Sequence, residues 1–286
     1  MRSMTGFGTA SRSRGAGRVV VEVRSVNART LDVRVRLPEA LGDSSVWAEQ
    51  IVRRRLRRGR IEVSLRLDGS GVSGVELDVV KAKAALDALG RLAEERGEAT
   101  APLALLAAVP GLFVAPTGLL AELRDAAEAA LADALEALDA DRAREGSAIS
   151  AELTHRATLV RTALHRAEDL TKHLASSYRR RLEERLGRLD VSVDPARVEA
   201  EVVLFADRAD VAEEISRLST HLEHLESILA GRAEPAEGRR LEFLILEMLR
   251  EATTMAAKAQ DAGVSREVVE MKVELERMRE QVQNVE

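Results

Sequence analysis

None of the 286 residues is cysteine, so disulfides, thiolate metal sites and cysteine nucleophiles are all excluded. Aromatic residues make up only 2% of the chain, too few to place stacking rings along most of its elements. No apolar stretch approaches the roughly 18 residues that cross a bilayer. Met1–Ala10 also lacks the apolar segment of a secretory signal, so a cytoplasmic protein with no membrane partner is expected. Proline is scarce, at six residues, and absent between Leu119 and Leu189.

What remains is 45% hydrophobic and 32% charged. Ala, Leu, Glu and Arg dominate, which predicts a globular, helix-rich chain long enough for more than one domain. The net charge of −5 conceals a polarity: residues 1–72 hold 15 Arg against 7 Asp and Glu, a balance of +8 that leaves −13 for the rest. A polyanion bound at the basic end fits this, and so does attraction between the two parts, within or between subunits. The expected fold is α+β and predominantly helical. An N-terminal antiparallel sheet domain (1–72) leads to a helical middle with a long arm (73–193) and a C-terminal antiparallel helix bundle (194–286).

Three strands alternate with period two: Val19–Arg24, Val33–Leu37 and Ile61–Leu67. Their polar sides carry Arg24, Arg34, Arg36 and Arg66 beside Glu22, Asp32 and Glu62, a mixture that suits cross-strand pairing better than a binding platform. None of the three carries Phe or Tyr, which argues against single-strand readout by stacked bases. Met4–Gly8 suits an edge strand. A helix over Ser44–Arg57, stopped by Gly59, ends in Arg53, Arg54, Arg55, Arg57, Arg58 and Arg60. Six Arg in eight residues exceed what a helix end needs, and each can fork onto a phosphate without reading a base.

Gly69–Gly74 reads as a linker and Leu77–Gly97 as a helix. From Leu119 to about Leu189 the pattern allows one helix on the order of 100 Å long, unless Gly146 breaks it into a hairpin. Such an arm would need another chain to cover its apolar face. His155, His165 and His173 are expected on its surface.

A further helix starts at Asp194-Pro195. Its apolar stripe runs Val211, Ile215, Leu218, Leu222, Leu225 and Leu229, with Asp210, Glu213, Glu214, Arg217 and His221 on one flank. From Arg239 to Ala259, Leu241, Leu244, Ile245, Met248, Ala252, Met255 and Ala259 form another stripe, flanked by Arg240, Glu247, Arg250, Glu251, Thr254 and Lys258. Ser265 is a candidate N-cap for a last helix with a heptad seam from Val264 to Val285. The short Gly231–Gly238 connection predicts antiparallel packing of the two flanked helices. Facing carboxylates could then share a divalent ion, or simply pair with Arg across the interface.

Several of these segments resemble one family. Glu22-Val23-Arg24-Ser25-Val26-Asn27 with Arg29, Arg58-Gly59-Arg60, Val109–Phe113, Asp207–His221, Gly238–Leu244 with Glu247-Met248 and Arg250-Glu251, and the ending Glu276–Glu286 are similar to the YicC/YloC family of bacterial endoribonucleases. Ala28, Leu246, Leu249 and Thr253 depart from the usual pattern.

The resemblance implies RNA cleavage by a homo-oligomer, a hexamer, that encloses RNA. The helix faces add an assignment of parts. Arg24, Asn27, Arg29, Arg53, Arg54, Arg57, Arg58 and Arg60 would contact RNA. Glu213, Glu214, Glu247 and Glu251 would hold Mn²⁺ or Mg²⁺, His221 would move protons, and Arg250 would stabilise transition-state charge. The alternatives are 2′-OH attack with His221 as base, a non-catalytic RNA scaffold, and an oligomeric adaptor.

Overall fold

A computed structural model of the chain describes residues 1–14, 17–38, 41, 45–68, 76–95, 97, 103–114, 117–189, 193–231 and 238–286. The expected linker at Gly69–Gly74 and most of the Gly231–Gly238 connection lie outside them. The protein is predominantly helical with a small N-terminal sheet. Two compact units are present, Thr5–Asp141 and Met1–Met4 with Arg142–Glu286, and they divide the chain differently from the sequence boundaries near 72 and 193.

In the first unit, β1 (Gly6–Arg14), β2 (Gly17–Val26), β3 (Asp32–Arg36) and β4 (Arg60–Asp68) form one sheet in the order β1-β2-β4-β3, with α1 (Val46–Arg55) between β3 and β4. β1 is the expected edge strand. β1–β2 and β2–β4 are antiparallel, but β3 pairs parallel with β4. The sheet is therefore mixed rather than wholly antiparallel, because neighbouring strands joined through a helix run the same way.

One sheet face is the core: Val19, Val21, Val23, Ile61, Val63 and Leu65 are buried with Ala48, Val52 and Leu56. The same cluster includes Leu123, Ala127, Leu131, Ala134 and Leu138 of the long helix α3 (Thr117–Thr171). Gly8 lies where that helix meets β1; a Cβ there would stand 2.1 Å from the Ala134 carbonyl oxygen. Between β4 and α3 come β5 (Glu76–Leu77), α2 (Val79–Glu95), a 3₁₀ turn at Leu103–Ala108 and β6 (Phe113–Val114), which pairs with β5.

α3 runs 55 residues without a break at Gly146. That glycine serves close approach instead: a Cβ would stand 2.6 Å from the Met1 carbonyl oxygen. Much of the apolar face of α3 is covered within this chain, by the sheet unit from Leu123 to Leu138 and by the helical core from Ile149 to Ala167, while Leu159 and Leu170 stay exposed. The break comes at Lys172–His173, before α4 (Leu174–Arg188).

The expected helix after Asp194 is two helices, α5 (Pro195–Arg208) and α6 (Ala212–Leu229). Asp194 caps α5, accepting from the Ala196 N–H, and Asp210, one residue before the Val211 N-cap of α6, accepts from the Ala212 N–H at 3.0 Å. α7 (Gly238–Ala259) and α8 (Ala262–Val282) follow, joined at Gln260 with φ +46°. Asp261, not Ser265, caps α8, accepting from Gly263 and Val264. The expected stripes of α7 and α8 are buried throughout, and with Leu218, Leu222, Leu225 and Ile228 of α6 they form the main core of this unit. Met1–Met4 join it: Ser3 bridges Val285, and the Met4 N–H donates to the Asn284 carbonyl at 2.7 Å. The guanidinium of Arg142, 2% exposed, donates to the Ser3 carbonyl and pairs with Glu286.

Candidate functional site

The predicted site residues fall into two groups, one in each unit. In the sheet unit, Val26 opposite Arg60 and Asp32 opposite Arg60 bring the β2–β3 and α1–β4 connections to the same end of the sheet. Gly59 makes this possible, with φ +101° and its Cβ direction 3.2 Å from the Val26 carbonyl oxygen. Arg24, Asn27 and Arg29 thus share a sheet end with Arg57, Arg58 and Arg60, and the last turn of α1 adds Arg53 and Arg54. Arg60 is held by Asp32 at 3.2 Å and Arg55 lies 3.5 Å from Glu136. Arg29, Arg53, Arg54, Arg57 and Arg58 form no ion pair among the described residues. Cations left without carboxylates on a structured loop end can meet phosphate oxygens with little rearrangement.

In the helical unit, α6 and α7 pack antiparallel and their charged flanks meet along one seam. Arg240 contacts His224 Nε2 at 3.2 Å, Arg217 reaches Glu251 at 3.5 Å, and Lys258 donates to Glu214 Oε1 at 2.5 Å. That register sets the His221 turn opposite the Glu247 turn. Arg217 also pairs with Glu213, and Arg250 with Glu247.

The exposures differ along the seam and separate the roles. Glu214 is buried, Glu251 and Glu247 are mostly covered at 13% and 21%, and Arg250 stands out at 73%. The hydrogen bond that Lys258 donates to Glu214 raises the lysine pKa against the opposing desolvation, and the charges of Glu214, Glu213 and Asp210 add to the rise.

Glu214 Oε2 is buried and makes no hydrogen bond among the described residues. Carboxylate oxygens are the ligands Mg²⁺ and Mn²⁺ prefer, but the other oxygen of Glu214 is taken by the Lys258 ammonium. Among the described residues, however, no group of three or more His, Asp or Glu is arranged to hold an ion. Mg²⁺ is commonly held by one or two carboxylates plus substrate phosphates. The described residues of the seam therefore form no closed protein cage for an ion.

Two features of the site escape sequence reasoning. His224 lies three residues after His221 on α6, and its contact with Arg240 shows only once the register is known. Lys258 is legible as part of the α7 flank but not as the partner of a buried carboxylate.

A family described as "Endoribonuclease YicC-like, N-terminal region" matches residues 1–151, and "Endoribonuclease YicC-like, C-terminal" matches 167–286. The chain belongs to the YicC-like endoribonuclease family. It is similar over 99% of both chains to a protein of Haemophilus influenzae named "Probable endoribonuclease YicC", with 33% identity. A Clostridioides difficile protein of the same name is 27% identical, again over 99% of each chain. Both family regions thus include one group of site residues each: the arginines of the sheet end in the first and the α6/α7 seam in the second. No helix among the described residues is long and apolar enough to cross a membrane.

Proposed function

We propose that the protein is a divalent-metal-dependent endoribonuclease that cleaves RNA phosphodiester bonds and acts as a homo-oligomer, a hexamer, enclosing its RNA in the cytoplasm. The observation that carries this reading is the α6/α7 seam, where covered carboxylates and an exposed arginine lie on two packed helices, with the His221 turn facing the Glu247 turn by register. The names of the relatives support the reaction class.

In this mechanism the arginines of the sheet end hold the RNA backbone as charge, without reading sequence. From among Glu213, Glu214, Glu247 and Glu251 would come the one or two carboxylates that hold Mn²⁺ or Mg²⁺ beside a substrate phosphate, with Lys258, Arg217 and Arg250 as the cations that occupy those carboxylates otherwise. When bound, such an ion supplies charge to the phosphate and an acidified water. His221 takes or gives the proton at the attacking or leaving oxygen. Arg250, exposed at the rim of the seam, meets charge that develops on the phosphate.

The pairing of every candidate carboxylate with Arg or Lys favours a second reading, in which the seam is structural and the protein is an RNA-binding scaffold. Purified protein incubated with RNA, with EDTA and with added Mn²⁺, separates the two. Cleavage that EDTA abolishes and Mn²⁺ restores supports the first; intact RNA in all tubes supports the second. Product ends then decide the chemistry, since attack by the 2′-OH leaves a cyclic phosphate and attack by water does not.

A further inference from the structure

One face of the sheet packs on α1 and α3, while the other carries a grid of side chains fixed by strand register. Its central row is Phe7, Arg24, Glu62 and Arg34, contributed in turn by β1, β2, β4 and β3. The next row is Thr9, Glu22, Ser64 and Arg36. Phe7 is therefore an aromatic on the polar face, and it arrives on β1, outside the three strands whose alternation is plain in the sequence. Its ring is 42% exposed, and the Arg24 guanidinium lies over it, 5.6 Å from the centroid. Beside this stack Glu22, Arg24, Arg34, Arg36, Glu62, Val63 and Ser64 line a cavity of about 200 Å³.

Cross-strand pairing accounts for only part of the charge on this face. Arg66 holds Glu22 at 2.5 Å, and Asp32 takes Arg60 at 3.2 Å and Arg34 at 3.5 Å. Arg24 and Arg36 have no carboxylate partner among the described residues. Two cations that form no ion pair among the described residues, next to an exposed ring with a planar guanidinium over it, match one kind of ligand unit. A nucleotide with an unpaired base offers a flat π-face for the stack and a phosphate for the neighbouring arginines.

We propose that this sheet face binds unpaired nucleotides of RNA, the base stacking on the Phe7–Arg24 pair and the adjoining phosphate meeting Arg36 at the cavity. The inference rests on the endoribonuclease reading for its choice of RNA, and it makes the preferred substrate one with a single-stranded segment. A base buried in a duplex has no free face to stack, so duplex RNA gains nothing from Phe7.

The test is fluorescence anisotropy in EDTA, with a short single-stranded RNA and a blunt duplex of the same length as probes. Phe7→Leu should weaken single-strand binding about tenfold, the scale of one base–aromatic stack, with the salt dependence unchanged. Phe7→Trp should restore it, and duplex binding should not move. Arg36→Gln should reduce the salt slope instead. Phe7→Leu protein that melts like wild type and binds the single strand as tightly overturns the proposal, as does an equal loss on duplex and single strand. If that variant binds fully and the wild type still cleaves RNA with Mn²⁺, only the stacking face is lost. A wild type that binds no RNA at all removes the endoribonuclease reading as well.

Discussion

Lys258 donates to the buried carboxylate of Glu214 across the α6/α7 seam at 2.5 Å, and the second oxygen of that carboxylate has no partner among the described residues. Lys258→Ala should lower the Tm at neutral pH, and lower it less in a Glu214→Gln background, read as a double-mutant cycle. The Glu214 hydrogen bond holds the Lys258 pKa above the ordinary value of 10.5. A raised lysine contributes stability that is fully present below the ordinary value and lost as pH climbs through the elevated one. The Tm gap between wild type and Lys258→Ala should stay constant from neutral pH to about pH 10 and close above it.

Alanine at Glu247, Glu251 or His221 should lower RNA cleavage by about 100-fold or more while leaving the affinity for RNA in EDTA near that of wild type. Glu251→Ala leaves Arg217 paired with Glu213, so its melting temperature should change little. Cleavage rates within a factor of about two of wild type for all three variants would remove the seam from the chemistry.

The arginines of the α1 exit should each hold a phosphate independently. Gln at Arg53, Arg54, Arg57 or Arg58 is expected to lower the slope of log affinity against log salt by about 0.7–0.9 for each phosphate no longer neutralised. Arg55→Gln is the comparison, because Glu136 lies 3.5 Å from Arg55. It should change the slope less.

Gly8→Ala should destabilise the sheet unit by about 1–3 kcal/mol or more, since the new Cβ would meet the backbone of α3 at Ala134 and Leu138. Gly90→Ala is the matched control. Nothing lies within 4 Å of its Cβ direction in α2, so it should stabilise by about 0.5–1 kcal/mol. Urea unfolding of both variants measures the difference.

Arg142→Met should cost about 3 kcal/mol, because it leaves the Ser3 carbonyl and the Glu286 carboxylate without their buried partner. Replacing Arg166, which pairs with Glu267 at 2.9 Å but is 53% exposed, should cost less than about 1 kcal/mol. Thermal or urea melts of the two variants against wild type give both figures.

Much of the helical unit is legible in the sequence because its apolar residues recur at one spacing and are buried where that spacing puts them, from Leu241 to Ala259 and from Val264 to Val282. The flanks follow from the same geometry, so Glu251 and Arg217 could be expected near each other. The parallel β3–β4 pair was not legible, because period two marks a half-buried strand and carries no direction. Gly146 and Phe7 could not be given a role for a related reason. A glycine reads as a break until the segment that presses on it is known, and a lone aromatic between two glycines has no visible face until its strand is registered against β2.

The helical unit needs Met1–Met4 as well as residues from Arg142 to Glu286, whereas Thr5–Asp141 is one uninterrupted stretch. During synthesis the stretch that ends at Asp141 can close as soon as it has left the ribosome. Of the four residues ahead of it, Ser3 can meet Arg142 early, but the bonds of Arg2, Ser3 and Met4 to Glu286, Val285 and Asn284 wait until those last residues emerge. A nascent polypeptide arrested between those points would carry a finished sheet and a half-anchored leader, with the Arg142 guanidinium still short of its Glu286 carboxylate.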